Sequence, residues 1–598
     1  MANTSSTHLD LIDPYELAEA VTNIAAQSHR LLSEFMRSHG VDLDADADPF
    51  GLLPAFIELT SSWASDPAKL LDAQFHAWQS YMALWHDSAQ AFMGLEATPL
   101  IVADGGDRRF KDADWDDRPL FAYVKQTYLI AASAIHASVA DVETLDKQTE
   151  RKVNFFTKQF VDAISPTNFV LTNPEVLRAT IQTGGKNLLD GLTQFLADID
   201  PKDGTVHTKM VDHEAFELGQ NIATSPGKVV FQNDLIQLIQ YAPTTETVYR
   251  RPLLIVPPWI NKYYVPDLRE KNSFMKWAVG EGHTVFAVSW VNPDEHLAHK
   301  DFEDYVLEGP MAALDAIEQA TGEAQVNIIG YCLGGTLLGA ALAYMSANGD
   351  TRAQSATFFT ALLDFSDPGD LGVFIDEAQV QSLEQTMNKR GYLDGAEMAS
   401  TFNLLRANDL IWSFVIHNYL LGKEPVPFDL LYWNSDSTRM PAKMHSTYLR
   451  KMYLENAFRE PGGVMVGGVP IDLAKIDTPA YFVSAAEDHI APWKTTYLGA
   501  QALSGPVTFV LSKSGHIAGI INPPGPRAYG HHIGPTVSEL SPDDWFAQSE
   551  LQAGSWWSRW ATWIGECAGE KVSQRMPGDG KLGVIEDAPG AFAKTKIE

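Results

Sequence analysis

From about residue 216 onward the chain alternates short apolar runs with helical stretches, and this rhythm restricts the possible folds more than any other feature. "PLLIVPP" (252–258), "HTVFAVSW" (283–290), "AQVNIIGY" (324–331), "SATFFTALLDF" (355–365), "PAYFVSAAED" (479–488) and "PVTFVLSKSGH" (506–516) are β-rich. Short apolar runs without alternation read as strands covered on both faces, and the helical stretches between several of them supply the crossovers that parallel strands require. The expected fold is therefore α/β, with a mostly parallel sheet. Between about 366 and 470 the rhythm gives way to aromatic, mainly helical sequence such as "LIWSFVIHNYLLG" and "STYLRKMYLENAF". An insertion of this length between two sheet strands is expected to form a helical cap.

The 598 residues exceed the roughly 250–300 at which one hydrophobic core stops growing. Residues 1–215 are expected to form a separate, mainly helical N-terminal domain, and 216–598 the sheet domain with its cap at about 366–470. In "AQFHAWQSYMALWHD", Phe75, Trp78, Met82 and Trp85 recur at intervals of three and four. That stripe reads as a core-facing helix face, the alternative being a surface for a partner chain or a lipid-like product. "RKVNFFTKQFVDAIS" is a helix that stops at Pro166, and Asn173 before Pro174 marks the start of another. Near the end, "GSWWSRWATWIGE" places Trp556, Trp560 and Trp563 on one helical face, which is expected to pack a terminal helix onto the sheet domain.

Hydrophobic residues at 45% and aromatic residues at 11% belong to a folded chain. The two cysteines, Cys332 and Cys567, make no disulfide framework, which points to a reducing compartment and leaves both thiols free. "MANTSSTHLDLIDPYELAEA" has neither a basic nor an apolar leader region, and no apolar window is long enough to span a bilayer. A cytoplasmic location is expected. The formal net charge of −32 disfavours nucleic acid and anionic membrane as partners. No metal site, GxxxxGKS phosphate loop or flavin motif is evident, so neither a metal nor a bound cofactor is expected.

One apolar run ends in "GYCLGGT". A strand, then Gly330-x-Cys332-x-Gly334, then a helix of small residues is the context of a nucleophile elbow. There the turn exposes the side chain at the carboxyl edge of the sheet, and the following helix offers free N–H groups to an anion. A site of this α/β-hydrolase type takes its acid and histidine from later strand ends. Asp488 follows "AYFVSAAE" and His516 follows "TFVLSKSG". His489 and His283 compete for the role of base, and Asp364 is the next candidate acid. Of the two N–H donors that an oxyanion needs, Leu333 supplies one. The other should lie just past "LLIVPP", at Ile260 or Asn261, because Pro257 and Pro258 carry no N–H.

The segments "DRRFKDADW", "SPTNF", "TNPE", "FELGQNIA", "PPWINKYY", "GHTVFAVSW", "GYCLGGT", "LLDFSDPG", "PVPFDLLYWNSDSTRMP", "AAEDHIAPW", "SGHIAGIINPPG" and "GSWW" together resemble the class I polyhydroxyalkanoate synthases, from about residue 107 to the end. The resemblance implies polymerisation of (R)-3-hydroxyacyl-CoA, mainly short monomers such as 3-hydroxybutyryl-CoA, with release of CoA. It implies a covalent cysteine thioester, with Cys332 as nucleophile, Asp488 as acid and His516 as base. It further implies an active homodimer that meets the growing polyester at a granule surface. Trp259 departs from relatives that have Cys or Phe there, and an altered wall is expected. CoA brings phosphates, and "STRMPAKMHSTYLRKMY" concentrates Arg439, Lys443, Arg450 and Lys451 in the cap; Arg439 and Lys443 are the candidate contacts. Two other readings compete: a hydrolase of thioesters or lactones with the same fold, and a granule-coating protein without turnover.

Overall fold

The computed structural model describes residues 107–596 apart from 141–144, 202–203, 205 and 538, together with 78–88, 90 and 99–103. The chain divides into two units, Met1–Asp212 with Phe402–Val426, and His213–Thr401 with Pro427–Glu598.

The first unit is helical. Its main elements are α1 (Pro119–Val139), α2 (Lys147–Ala163), α3 (Pro174–Gln182) and α4 (Lys186–Ala197). Asp146 caps α2 by accepting from the N–H groups of Gln148 and Thr149, and Asn173 caps α3 in the same way from Glu175 and Val176. Phe110, Trp115, Phe121, Tyr128 and Val161 form a core. Arg109 ties it together, donating to Asp107 at 2.9 Å, to the Tyr128 hydroxyl at 2.8 Å and to Asp162 at 3.0 Å. The segment 402–426 falls inside the stretch read as a cap, yet it groups with these helices. Asn187 donates to the Leu420 carbonyl at 2.7 Å, the Tyr419 hydroxyl donates to Asp198 at 2.7 Å, and the Tyr419 carbonyl lies where a side chain on Gly191 would be. The stripe read as core-facing points outward instead. Trp78, Met82 and Trp85 are 58%, 50% and 66% exposed, and among the described residues of that helix only Leu84 is buried, while Phe75 lies outside them. Apolar periodicity identifies a helix face but not what covers it.

The second unit is built on a sheet of eleven strands. In chain order they are β1 (Gly227–Gln232), β2 (Ile236–Tyr241), β3 (Leu253–Val256), β4 (Val285–Trp290), β5 (Val326–Tyr331), β6 (Ala353–Phe359), β7 (Ala480–Ala485), β8 (Val507–Ser512), β9 (His531–Ile533), β10 (Glu550–Gln552) and β11 (Glu586–Asp587). Their spatial order is β10-β9-β8-β7-β6-β5-β3-β4-β2-β1-β11. The six runs read from the sequence are β3 to β8, and they form the continuous parallel centre. β3, β4, β5 and β7 are buried at every position, as strands covered on both faces must be. β1, β2, β9, β10 and β11 add antiparallel margins. The helix α5 (Leu333–Ala347) follows β5 directly, and Gly335, Gly339 and the buried Ala340, Ala341 and Ala343 let it pack closely. The terminal helix α6 (Trp557–Cys567) buries Trp557 and Trp560 beside Trp556. Their indole N–H groups donate to the Ile520 carbonyl, the Thr357 hydroxyl and the Gly519 carbonyl. Trp563 is half-buried against Tyr481. Among the described residues no helix is long and apolar enough to cross a membrane.

Candidate active site

β5 ends at Tyr331 and α5 begins at Leu333, so Cys332 alone makes the turn. It takes φ 52° and ψ −120°, a region that disfavours a residue with a Cβ and that persists only where the surroundings enforce it. They do so through contact. The Cys332 N–H donates to the Phe359 carbonyl at 2.8 Å. A Cβ on Gly334 would overlap the Val256 carbonyl oxygen, and one on Gly330 would lie 2.5 Å from Gly335 Cα. The turn is thereby wedged between the ends of β3 and β6, with the sulfur at the carboxyl edge. Leu333 opens α5, where N–H groups have no partner within the helix.

The loops after β7 and β8 bring the two other groups. They are tied to each other by hydrogen bonds from Ala486 N to Ser512 O at 2.8 Å and from Glu487 N to Ser514 O at 2.9 Å. His516 Nδ1 lies 2.6 Å from Asp488 Oδ2, and the other Asp488 oxygen accepts from the N–H groups of Ile490 and Ala491, each at 2.9 Å. The Asp488 side chain is fully shielded from solvent and that of His516 is 10% exposed. The Cys332 sulfur acts on the same imidazole, so His516 links carboxylate and sulfur. Burial by itself would push the His516 pKa down, but the Asp488 carboxylate and the Cys332 sulfur outweigh burial and hold it well above the usual histidine range. Tyr331, which the sequence reading passed over as the variable residue of the elbow, supports the base: its hydroxyl lies 3.4 Å from the His516 carbonyl oxygen and its ring stacks at 6.1 Å.

Two of the rival residues, His283 and Asp364, are engaged elsewhere. His283 precedes β4 and so sits at the amino edge of the parallel strands, opposite Cys332, between Tyr249 and Trp560; burial and nearby Lys571 push its pKa down to about 4. The carbonyl of His489 accepts from Asp370 N at 3.2 Å. Asp364 accepts from Ser366 N and Asn456 and faces Arg459 at 3.4 Å. Ile260 packs beside the core cluster that also holds Cys332, and Asn261 forms a backbone bridge with Ser437.

Beside the sulfur, aromatic rings form a wall. The rings of Tyr448 and Tyr453 meet edge to face with their centroids 5.4 Å apart. Burial raises both of their pKa values, and the Cys332 sulfur contributes to each rise. Phe365 stands 5.1 Å from Tyr453, and the buried Trp259 stands 5.5 Å from Tyr448 and 5.7 Å from Tyr305. Trp259 is thus part of the wall, one ring away from the tyrosine beside the sulfur. Of the cap cations, Arg450 is paired with Glu377 and Glu384, Lys451 with Glu455, and Lys443 with Asp301 at 3.2 Å. Arg439 instead lies over the ring of Tyr392. Among the described residues no group of three or more His, Cys, Asp or Glu side chains is placed to hold a metal ion.

A charged dyad against a thiol, on a strained turn under an aromatic cover, is suited to forming and breaking acyl bonds away from water. Comparison with known proteins narrows the chemistry. The profile of the family described as poly-beta-hydroxybutyrate polymerase (PhaC) N-terminus matches residues 106–278, and that of the alpha/beta hydrolase fold matches residues 255–523. A poly(3-hydroxyalkanoate) polymerase from Methylorubrum extorquens is 45% identical over 559 residues, 93% of this chain and 92% of the relative. A poly(3-hydroxyalkanoate) polymerase subunit PhaC from Rhizobium meliloti (strain 1021) is 44% identical over 587 residues, 98% of this chain and 96% of the relative. The corresponding subunit from Cupriavidus necator is 41% identical over 536 residues, 89% of each chain.

Proposed function

The chain belongs to the poly(3-hydroxyalkanoate) polymerase family, and from that premise we propose that it lengthens a polyester from (R)-3-hydroxyacyl-CoA, preferring short monomers, through a thioester on Cys332. The observation that carries the reading is the Asp488–His516 hydrogen bond beside Cys332 at the elbow, with the sulfur helping to raise the pKa of that imidazole. His516 holds the proton of Cys332, as its raised pKa favours, the sulfur attacks the thioester carbonyl, and the proton passes to the departing CoA thiolate. Leu333 N–H and a second donor at Ile260 or Asn261 hold the oxyanion. In the second half the 3-hydroxyl of a monomer or chain end gives its proton to His516 and attacks the acyl carbonyl. The Cys332 thiolate leaves and recovers the proton. Asp488 orients the ring and stabilises its cation.

Sulfur suits this cycle because the first step exchanges one thioester for another and so preserves the acyl group's reactivity toward a weakly nucleophilic secondary alcohol. The wall of Trp259, Phe365, Tyr448 and Tyr453 disfavours water as the competing acceptor. No bound cofactor enters the cycle, CoA being part of the substrate. The family resemblance supports a cytoplasmic homodimer at a granule surface, which sedimentation and fractionation would check. The test of function is purified protein given (R)-3-hydroxybutyryl-CoA. CoA release with insoluble polymer supports the proposal, CoA release with free acid makes the protein a thioesterase, and no release makes it a non-catalytic coat.

A further inference from the structure

Arg439 is the one candidate cap cation that the structure leaves without an acidic partner. The chain carries 76 acidic side chains against 44 basic ones, and Lys443, Arg450 and Lys451 have each found a carboxylate. Among the described residues Arg439 has none. Its guanidinium carbon lies 4.7 Å from the centre of the Tyr392 ring, and its Nε is buried without a hydrogen-bond partner. The neighbouring Thr438 is likewise buried with an unpartnered hydroxyl. A half-buried cation held flat on an aromatic ring keeps its fork of N–H groups ordered, and an unsatisfied buried donor costs stability that an anion would restore.

The position of this cation is fixed by backbone contacts. Ser437 bridges Asn261, just beyond β3, and Arg439 N donates at 3.0 Å to Asn292 Oδ1, just beyond β4. Residues 437–439 therefore cross the carboxyl ends of β3 and β4. β5, which carries Cys332, lies beside β3 on its other side, so β4 is ~10 Å across the sheet from it. The backbone that carries this cation thus stands on the same edge of the sheet as Cys332, two strands along, on the side where the far end of an extended thioester would lie.

Resting on the reading above, we propose that Arg439 anchors a phosphate of the CoA moiety while the thioester carbonyl lies at Cys332. The fork donates to two phosphate oxygens, and these bonds are lost with the departing CoA. Initial rates of thiol release would be measured with the (R)-3-hydroxybutyryl thioesters of CoA, 3′-dephospho-CoA and pantetheine. Arg439→Gln should reduce the preference of kcat/KM for the CoA over the pantetheine thioester by about 10- to 100-fold, Arg439→Lys should restore part of it, and Lys451→Gln should not alter it. A loss shared by dephospho-CoA assigns the diphosphate, and a loss confined to CoA assigns the 3′-phosphate. An equal loss on all three thioesters makes Arg439 merely structural and overturns the proposal, as does no loss at all. Wild-type protein that releases thiol from none of the three would instead overturn the function itself.

Discussion

At Cys332 the backbone strain, the adjacent His516 and the shielded Asp488 behind it act on one sulfur. Cys332→Ser keeps the shape but forms an oxoester that the next hydroxyl displaces poorly, so polymer formation should fall ~10²-fold or more. Cys567→Ala should be nearly silent, since that half-buried thiol lies at the end of α6, where burial pushes its pKa up. Polymer at the wild-type rate from the serine variant would remove the argument for sulfur. The raised pKa of His516 also has a consequence for stability. An imidazole held above its unfolded value of 6.5 stabilises the fold fully below about pH 6.5, and this contribution is lost as pH rises through the raised folded value. Asp488→Asn removes much of the cause. Its deficit against wild type in urea unfolding should therefore be larger at pH 6 than at pH 9, and the reverse order would show that the imidazole is not held charged by Asp488. In single-turnover assays the same variant should accumulate acyl-enzyme if Asp488 also assists attack by the hydroxyl, whereas equal slowing of both steps would leave it an orienting group.

Elements explain why the elbow was legible and the margins were not. The central strands announce themselves because burial on both faces forces uninterrupted apolar runs, and Cys332, Asp488 and His516 each stand at the tip of one. β1 and β2 are a hairpin whose signal, Asn233 between two β-branched runs, is only local: Asn233 Oδ1 accepts from Leu235 N at 2.9 Å and Ile236 N at 2.8 Å. Segment 402–426 looks like the rest of the cap because helical aromatic sequence does not state which surface it will cover. Several segments that carry the family resemblance prove to be scaffold, as Arg109 with Asp162 and Asn173 at its cap demonstrate. Gly334 belongs to the elbow by contact with β3 rather than by conformation, which gives a prediction at this scale. Gly334→Ala forces a methyl into the Val256 carbonyl, should cost about 3 kcal/mol or more, and should displace the turn enough to abolish thiol release. Gly583→Ala meets open space and should stay within about 0.5 kcal/mol in the same unfolding assay. Comparable melting of the two variants would mean that α5 can slide away from β3 without harm to the turn.

In the sheet-bearing unit, three distant stretches of chain converge on one buried ammonium. Lys262 is 2% exposed, and its Nζ donates to the carbonyls of Phe592 at 3.0 Å and Thr595 at 2.6 Å. These oxygens lie at the end of the last helix, α7 (Gly590–Lys594), where a cation also complements the helix dipole. The carbonyl of Lys262 accepts from the Trp433 indole at 2.7 Å, and two residues on, the Tyr264 hydroxyl donates to Asp436 at 2.6 Å. The loop after β3, the segment 429–437 and the C-terminal tail are thus clamped together, and the loop is the one that carries Ile260 and Asn261. Two effects oppose each other in Lys262→Met. Burial pushes the Lys262 pKa down against the pull of Asp436, so an apolar side chain is relieved of a desolvation cost. It also leaves two carbonyls without their donor and removes the cation that acts most on Asp436. Hydrogen bonds from a charged donor contribute about 1.5–3 kcal/mol each, and a buried acceptor left without its donor adds its desolvation cost. The second effect should win, with a loss of about 2–4 kcal/mol in urea unfolding. Before global unfolding, the tail beyond Asp587 should become open to proteolysis in the variant. If Ile260 or Asn261 supplies an oxyanion donor, kcat should fall while KM for the thioester stays close to wild type, because only the transition state feels a displaced N–H. A protected tail with undiminished stability would show that α7 is held by β11 and Gln237 without the ammonium. A loosened tail with unchanged kcat would place the oxyanion donors elsewhere.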